Sequence, residues 1–336
     1  MEARLIRSLV YSPNWVGDTV MALPVLEALA ATEREVIVLA KPHLAPLLEL
    51  VPAVSEAIPG AENQGETIRR VREARCNEAV ILPNSFRSAW IPARARIPHR
   101  WGYAGNFRSL LLSPAVPRPD RDRPQIRDYR ELLEAMDVPL PRDWIPELPV
   151  SEARRRRGSE RLERAGLDPE SPLVGLFPGA EYGPSKRWPW RRFAELSGAL
   201  RRARPETRQV ILGGPDEVWL GVRIHEETGR IHPLVGPELD LAGLAAVLCH
   251  LDVLVTNDSG PMHLAAALGV PCVALFGPTD PDRTSPAGPD HRVLYTDRWC
   301  SPCFRRHCPL LHHKCLKEIG VEAVKEAALA RLDGSD

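Results

Sequence analysis

The stretch LDVLVTNDSGPMHLAAALGVPCVALFG (251–277) decides the fold. Residues 251–258 are apolar at positions that point both ways, as in a strand covered on both faces. Asn257-Asp258-Ser259-Gly260 breaks the run, 259–268 follow helical spacing, and 271–277 return to an apolar strand. Strand, helix and strand in so short a span form a parallel crossover. In such units ligands bind where the strands end.

The alternation extends in both directions. Strand-like runs at 172–179, 208–214 and 231–235 are separated by helical patterns at 189–203, 217–228 and 240–250. An earlier series has strands at 4–12, 34–40 and 78–84, with helical patterns at 19–31, 43–50, 66–75 and 125–137. Two series imply two doubly wound α/β domains, each built on a Rossmann-like parallel sheet. The proline-rich stretch DVPLPRDWIPELPVSE (137–152) suits no helix, so domains of 1–150 and 151–336 are expected, with the polar run 151–166 starting the next helix.

Composition narrows the function classes. The 336 residues are 44% hydrophobic and 26% charged, which rules out disordered, collagen-like and disulfide-scaffold chains. Lys+Arg 44 balances Asp+Glu 44, giving no support for a bulk nucleic-acid binder. The most apolar stretch, LAGLAAVLC (241–249), is half of the roughly 18 residues a membrane span requires. Asn14 and Asp18 interrupt the apolar residues near the amino end, so no secretory signal is expected and the chain should stay cytoplasmic with reduced thiols. Lysine occurs only at 41, 186, 314, 317 and 325, so arginine supplies 39 of the basic residues. A GC-rich genome accounts for that bias, but it leaves each lysine conspicuous.

Three loops carry chemistry. In SPNWVGDTVMALPVLEAL (12–29) a strand ends at Tyr11, Gly17 lies in a tight loop, and Asp18 stands at the expected helix start. Asp18 reads either as that helix's N-cap or as an ionised carboxylate that takes a proton from a substrate hydroxyl. In LFPGAEYGPSKRWPWRRFAEL (176–196) a polar loop carries Ser185 and Lys186 ahead of a helix starting at Trp188-Pro189. This is not a Walker A loop, yet a lysine before a helix suits a diphosphate; the plain alternative is an exposed surface lysine. In 255–281, Asp258, Ser259 and Gly260 open a helix with His263 one turn inside, and FGPTDP (276–281) leaves the neighbouring strand. Gly260 lets backbone N–H groups approach an anion, which favours a nucleotide-sugar site over a bare helix cap.

Charge and cysteine are unevenly placed. No carboxylate falls between Glu78 and Asp120, where Arg87, Arg94, Arg96, Arg100, Arg108 and Arg118 lie. This is either a solvated face or a surface for an anionic ligand. Asp280-Pro281-Asp282 has the spacing of a divalent-metal motif, but its proline context reads as a turn. In CSPCFRRHCPLLHHKC (300–315), Cys300, Cys303, Cys308 and Cys315 stand among His307, His312 and His313 at spacings that fit no common zinc ribbon. A structural zinc, a redox-labile pair and free thiols are the alternatives, none with a catalytic role. Arg298, Arg305, Arg306, Lys314 and Lys317 surround them without a carboxylate from 298 to 317, a second surface suited to anions.

SPNWVGD (12–18), LPNSFRSA (82–89), IPHRWGY (97–103), SKRWP (185–189), NDSGPMHLAAALG (257–269), FGPTDP (276–281) and the cysteine cluster together resemble the sequence blocks of glycosyltransferase family 9. These are the bacterial heptosyltransferases, and the resemblance is nearest to the lipopolysaccharide heptosyltransferase II type. It implies a GT-B fold, two such sheets facing a cleft, with inverting transfer that needs no metal or other cofactor. It also implies an N-terminal acceptor domain and a C-terminal domain for ADP-heptose, the last helix packing back on the first domain. Carried over by residue, Asp18 is the general base and Lys186 the phosphate-binding lysine with a catalytic share. Ser185, Asp258, Ser259, Gly260 and His263 join it in binding the donor, with Asp216 or Glu217 expected near the ribose. Asn14, Asn84, Ser85, Arg87 and Arg100 are expected to bind the acceptor, a lipid A–Kdo–heptose glycolipid. That acceptor implies peripheral contact with the inner face of the inner membrane, and no nucleic acid.

The residues leave other readings open. They are a family 9 enzyme with a different acceptor, a sugar-nucleotide epimerase or hydrolase of like architecture, and a non-catalytic binding protein with a zinc-organised contact loop. A nicotinamide-dependent oxidoreductase is disfavoured, because no GxGxxG follows the first strand of either series.

Overall fold

The apolar runs become the strands of two parallel sheets in a computed structural model that describes residues 6–119, 124–229 and 231–334. Two compact units result, Met1–Leu148 and Pro149–Asp336. In the first, β1 (Ile6–Tyr11), β2 (Arg34–Ala40), β3 (Glu56–Pro59), β4 (Glu78–Ile81), β5 (His99–Tyr103) and β6 (Ala115–Val116) run in the order β3-β2-β1-β4-β5-β6. Leu9, Ile37, Leu39 and Ile81 are sealed under helices, which is why their runs are apolar on both faces.

The second unit holds β7 (Leu173–Phe177), β8 (Arg208–Gly213), β9 (His232–Val235), β10 (Val253–Asn257), β11 (Cys272–Phe276) and β12 (Arg292–Tyr295). Their order, β12-β11-β10-β7-β8-β9, repeats the first sheet's topology strand for strand. In each unit the strand order reverses between two neighbours, β1 with β4 and β7 with β10. A crevice opens at the carboxyl ends of such a pair. Those four strand ends carry most of the candidate residues, Arg100, Asp216, Glu217 and the cysteine cluster lying elsewhere.

Packing explains several local features. Trp188 lies fully buried, edge-on to Phe193 at 5.0 Å, and its indole N–H donates to the Ile319 carbonyl at 3.1 Å. The arginine-rich helix Glu152–Arg164 seats against Leu241–Leu248 through Gly158. A Cβ there would lie 1.9 Å from the Ala246 carbonyl oxygen, so only glycine permits the approach.

The last helix, Val321–Leu332, covers the helix Trp190–Ala203 together with β10 and β11. Val324 and Ala328 on its apolar face fill the second unit's own core. The pattern at 19–31 is two helices, Val16–Met21 and Leu23–Ala30. They part at Ala22 because Pro24 suits a first helical turn and cannot continue the preceding one. Among the described residues, no helix is long and apolar enough to cross a membrane.

Candidate functional site

In the second unit, one side chain at the end of β10 ties down both ends of the loop that leaves β7. Asn257 ends β10 fully buried; its Oδ1 accepts the Trp188 N–H at 2.9 Å. Its amide nitrogen donates to the carbonyls of Pro178 at 2.9 Å and Gly179 at 3.1 Å, where the chain leaves β7. An amide with both faces engaged fixes that loop as one body.

Onto that body the turn Pro184–Lys186 delivers Lys186. Its Nζ lies 2.5 Å from Oδ2 of Asp258, and the Thr279 hydroxyl donates to the same oxygen at 2.5 Å. Both charged side chains are largely buried. The helix Gly260–Ala267 begins one residue beyond Ser259, its N-cap, which makes no side-chain hydrogen bond to it. Its positive end therefore lies beside the pair, suited to an anion. His263 on that helix is buried; desolvation, with Lys186 and His291 adding to it against Asp258, lowers its pKa to about 4. At neutral pH it is an uncharged imidazole.

The Lys186 turn is clamped from the cysteine-rich segment. Ser185 donates through its hydroxyl to the Arg305 carbonyl at 2.5 Å and through its N–H to the Arg306 carbonyl at 3.2 Å. The Tyr182 hydroxyl donates to the Phe304 carbonyl at 2.8 Å. The cations of Lys186 and Arg306 lie 5.0 and 5.3 Å from the Tyr182 ring centre, so two positive charges share one aromatic ring. The Ser185 hydroxyl thus faces this loop. Of the two acids after β8, Asp216 is exposed, whereas Glu217 is buried beside Gly179 and accepts the Gly214 N–H at 3.0 Å. Desolvation raises the Glu217 pKa against that hydrogen bond.

The cysteines are free thiols. Among the described residues, no three His, Cys, Asp or Glu side chains are placed to hold a metal ion. Burial raises the Cys315 pKa, and charge on Cys303, Cys300 or Cys308 would raise it further. For Cys308 slight burial works upward, but backbone N–H groups of His313, Leu310, His312 and Leu311 outweigh it, and its pKa is lowered.

In the first unit, β1 and β4 end side by side. The helix Val16–Met21 starts earlier than expected: Trp15 is its N-cap, Gly17 is helical, and Asp18 lies in the first turn. The N-cap reading of Asp18 is therefore replaced, although a carboxylate in a first turn is still favoured by the helix dipole. Asp18 is half-buried, and its charge adds to burial in pushing the enclosed Tyr129 phenol well up. Asn14 is exposed in the loop that precedes the helix.

At the β4 exit, Asn84 holds a buried Oδ1 with no hydrogen-bond partner, while its carbonyl accepts from the Asn106 amide at 2.6 Å. The Ser85 hydroxyl caps the helix Phe86–Arg94, accepting the Ser88 N–H at 3.2 Å. Arg87 is exposed. Arg100 donates instead to the carbonyls of Leu111, Ile97 and Pro98 at 2.6, 2.5 and 2.8 Å, bracing its own loop. Arg108 is wholly buried, donating to the Pro83 carbonyl and, at 3.2 Å, to the Ser88 hydroxyl. Its Nε and Nη2 have no partner, and desolvation first, then Arg118, lowers its pKa to about 10.

Sequence reasoning did not single out Thr279, Tyr182 or the bracing role of Asn257. The motifs FGPTDP and NDSG contained two of them, but only the sheet order reveals that 178–179, 188, 257 and 279 converge.

The model of glycosyltransferase family 9 (heptosyltransferase) matches residues 65–314. Lipopolysaccharide heptosyltransferase 2 of Salmonella typhimurium is 38% identical over 314 residues, 86% of this chain and 88% of the relative. The protein of the same name from Escherichia coli K12 is 36% identical over the same shares. Among solved structures, E. coli ADP-heptose lps heptosyltransferase II superposes with a TM-score of 0.84 and 33% identity, covering 98% of this chain and 99% of that one. A glycosyl transferase family 9 structure from Veillonella parvula reaches 0.82 at 24% identity over 100% and 99%, a likeness of fold.

Proposed function

The chain belongs to glycosyltransferase family 9 and is a glycosyltransferase with the GT-B fold, and on that premise we propose that it transfers heptose from ADP-heptose to a heptose hydroxyl of the lipopolysaccharide inner core. The first unit binds the acceptor, a lipid A–Kdo–heptose glycolipid, and the second binds the donor. The observation that carries this reading is Lys186, held at the β7–β10 crevice beside the amino end of the helix Gly260–Ala267.

The chemistry follows from those groups. Asp18 takes the proton of the acceptor hydroxyl as its oxygen attacks the anomeric carbon opposite the diphosphate. The new glycosidic C–O bond forms while the bond to the diphosphate oxygen breaks, inverting the anomeric centre. Negative charge grows on the departing ADP, where Lys186 and the N–H groups following Ser259 stabilise it without a metal. His263, uncharged, offers hydrogen bonding without a further cation. Buried Glu217, beside Gly179, is the acid assigned to the ribose.

The test is ADP release from ADP-heptose with and without a mono-heptosylated core acceptor, in the presence and absence of EDTA. Release that requires the acceptor and ignores the chelator is expected. Equal release without acceptor would make the protein a hydrolase, and loss with EDTA would overturn the metal-free mechanism.

A further inference from the structure

We propose that the 104–111 loop, with the exposed face of the helix Phe86–Arg94, docks the protein on an anionic lipid bilayer. Phe107 and Leu110 are 96% and 97% exposed, two large apolar side chains displayed together on one loop. On the adjoining helix, Phe86 and Trp90 are also exposed, stacked at 6.0 Å, with the Arg94 guanidinium 5.4 Å over the Trp90 ring. Aromatic and aliphatic tips beside arginine suit the boundary between headgroups and acyl chains.

Charge selects the kind of membrane. Arg87, Arg94, Arg96 and Arg118 are exposed, and the chain from 79 to 119 contains no carboxylate. That imbalance complements phosphate headgroups of net negative charge.

The loop is held out deliberately by its own bonds. Asn106 and Phe107 adopt positive φ of 50° and 58°, a left-handed turn that non-glycine residues resist. Asn106 holds it to the Asn84 carbonyl at 2.6 Å, the Gly105 N–H donates to the Ser109 hydroxyl at 3.3 Å, and buried Arg108 anchors it to Pro83 and Ser88. Burial of an arginine is thereby explained as the pin of an outward-facing loop.

Topology gives the docking a purpose. The loop leaves β5, which neighbours β4, and β4 neighbours β1, so it emerges at the carboxyl edge that also carries 82–85 and Asp18. A bilayer held there presents lipid-borne sugar to the proposed base. That purpose rests on the acceptor assignment above; the docking surface does not.

The experiment uses the full chain and sedimentation with vesicles of phosphatidylglycerol and phosphatidylethanolamine, or of phosphatidylcholine alone. Wild type is expected to partition onto the anionic vesicles, and Phe107→Ser with Leu110→Ser to partition about tenfold less, both side chains losing their apolar burial. Arg94→Gln with Arg96→Gln should weaken binding and flatten its dependence on salt. Turnover of a delipidated, water-soluble acceptor should be unchanged by the Phe107 and Leu110 substitutions, while turnover of the vesicle-borne acceptor falls. Equal partitioning of wild type and the double serine variant, or no preference for anionic vesicles, would overturn the proposal. Absent turnover of the soluble acceptor by wild type would count against the enzymatic reading instead.

Discussion

The Lys186 ammonium and the Asp258 carboxylate meet at 2.5 Å inside the second unit, and Thr279 completes the carboxylate's contacts. The lysine proposed to meet the diphosphate is thus already paired. An arriving phosphate must share it, while the pair keeps a partly buried cation satisfied in the meantime.

Lys186→Ala is expected to weaken ADP-heptose binding at least tenfold by calorimetry, as loss of a charged hydrogen bond implies about 1.5–3 kcal/mol. Asp258→Ala should cost about 3 kcal/mol of stability in urea unfolding, because it strands a buried charge. The double variant Lys186→Met with Asp258→Leu should be less destabilised than Asp258→Ala. A simple sum of the two losses would show that the pair is not coupled.

Asp18→Asn keeps the shape and removes the proposed base. Turnover with acceptor should drop roughly a hundredfold or more, with an unchanged circular dichroism spectrum. Near-normal turnover would remove Asp18 from the mechanism.

His263 makes stability depend on pH. Its imidazole titrates at about 4 when folded, against 6.5 ordinarily, because burial opposes the charge. Between those values the unfolded chain binds more protons, so this contribution is complete above pH 6.5 and is lost as pH falls towards 4. It amounts to about 3 kcal/mol at most. Urea midpoints at pH 7.5 and 5.0 should therefore separate more for wild type than for His263→Gln; equal separations would refute the assignment.

Thiol reactivity should follow local electrostatics. Cys308, half-buried and under four N–H groups that lower its pKa, should alkylate with iodoacetamide before the other cysteines, whereas Cys76 and Cys272, pushed up by burial, should resist. Peptide mapping after brief labelling measures the order.

The sequence is most readable where burial is two-sided. Every residue of Leu173–Phe177, Val253–Asn257 and Cys272–Phe276 is buried, and those apolar runs announce themselves. Glu56–Pro59, His99–Tyr103, Ala115–Val116 and Arg292–Tyr295 do not, being short or half-covered strands towards the sheet edges. Phe86–Arg94 escaped notice because Pro92 sits inside it. At the site, Asp258 and Lys186 were legible as residue types at strand exits, but their direct contact was not, being fixed by the order of strands. Arg100 shows the opposite limit: its charge suggested an anion, and its geometry serves three carbonyls of its own loop.

The Asn257 amide has a longer reach than its size suggests. Aspartate there would lose both donors, glutamine would be a carbon too long, and alanine would free three backbone groups at once. A substitution at 257 therefore releases the β7 exit, the approach to the Trp190–Ala203 helix and the end of β10 together, so the loop that presents Lys186 holds or fails as a unit.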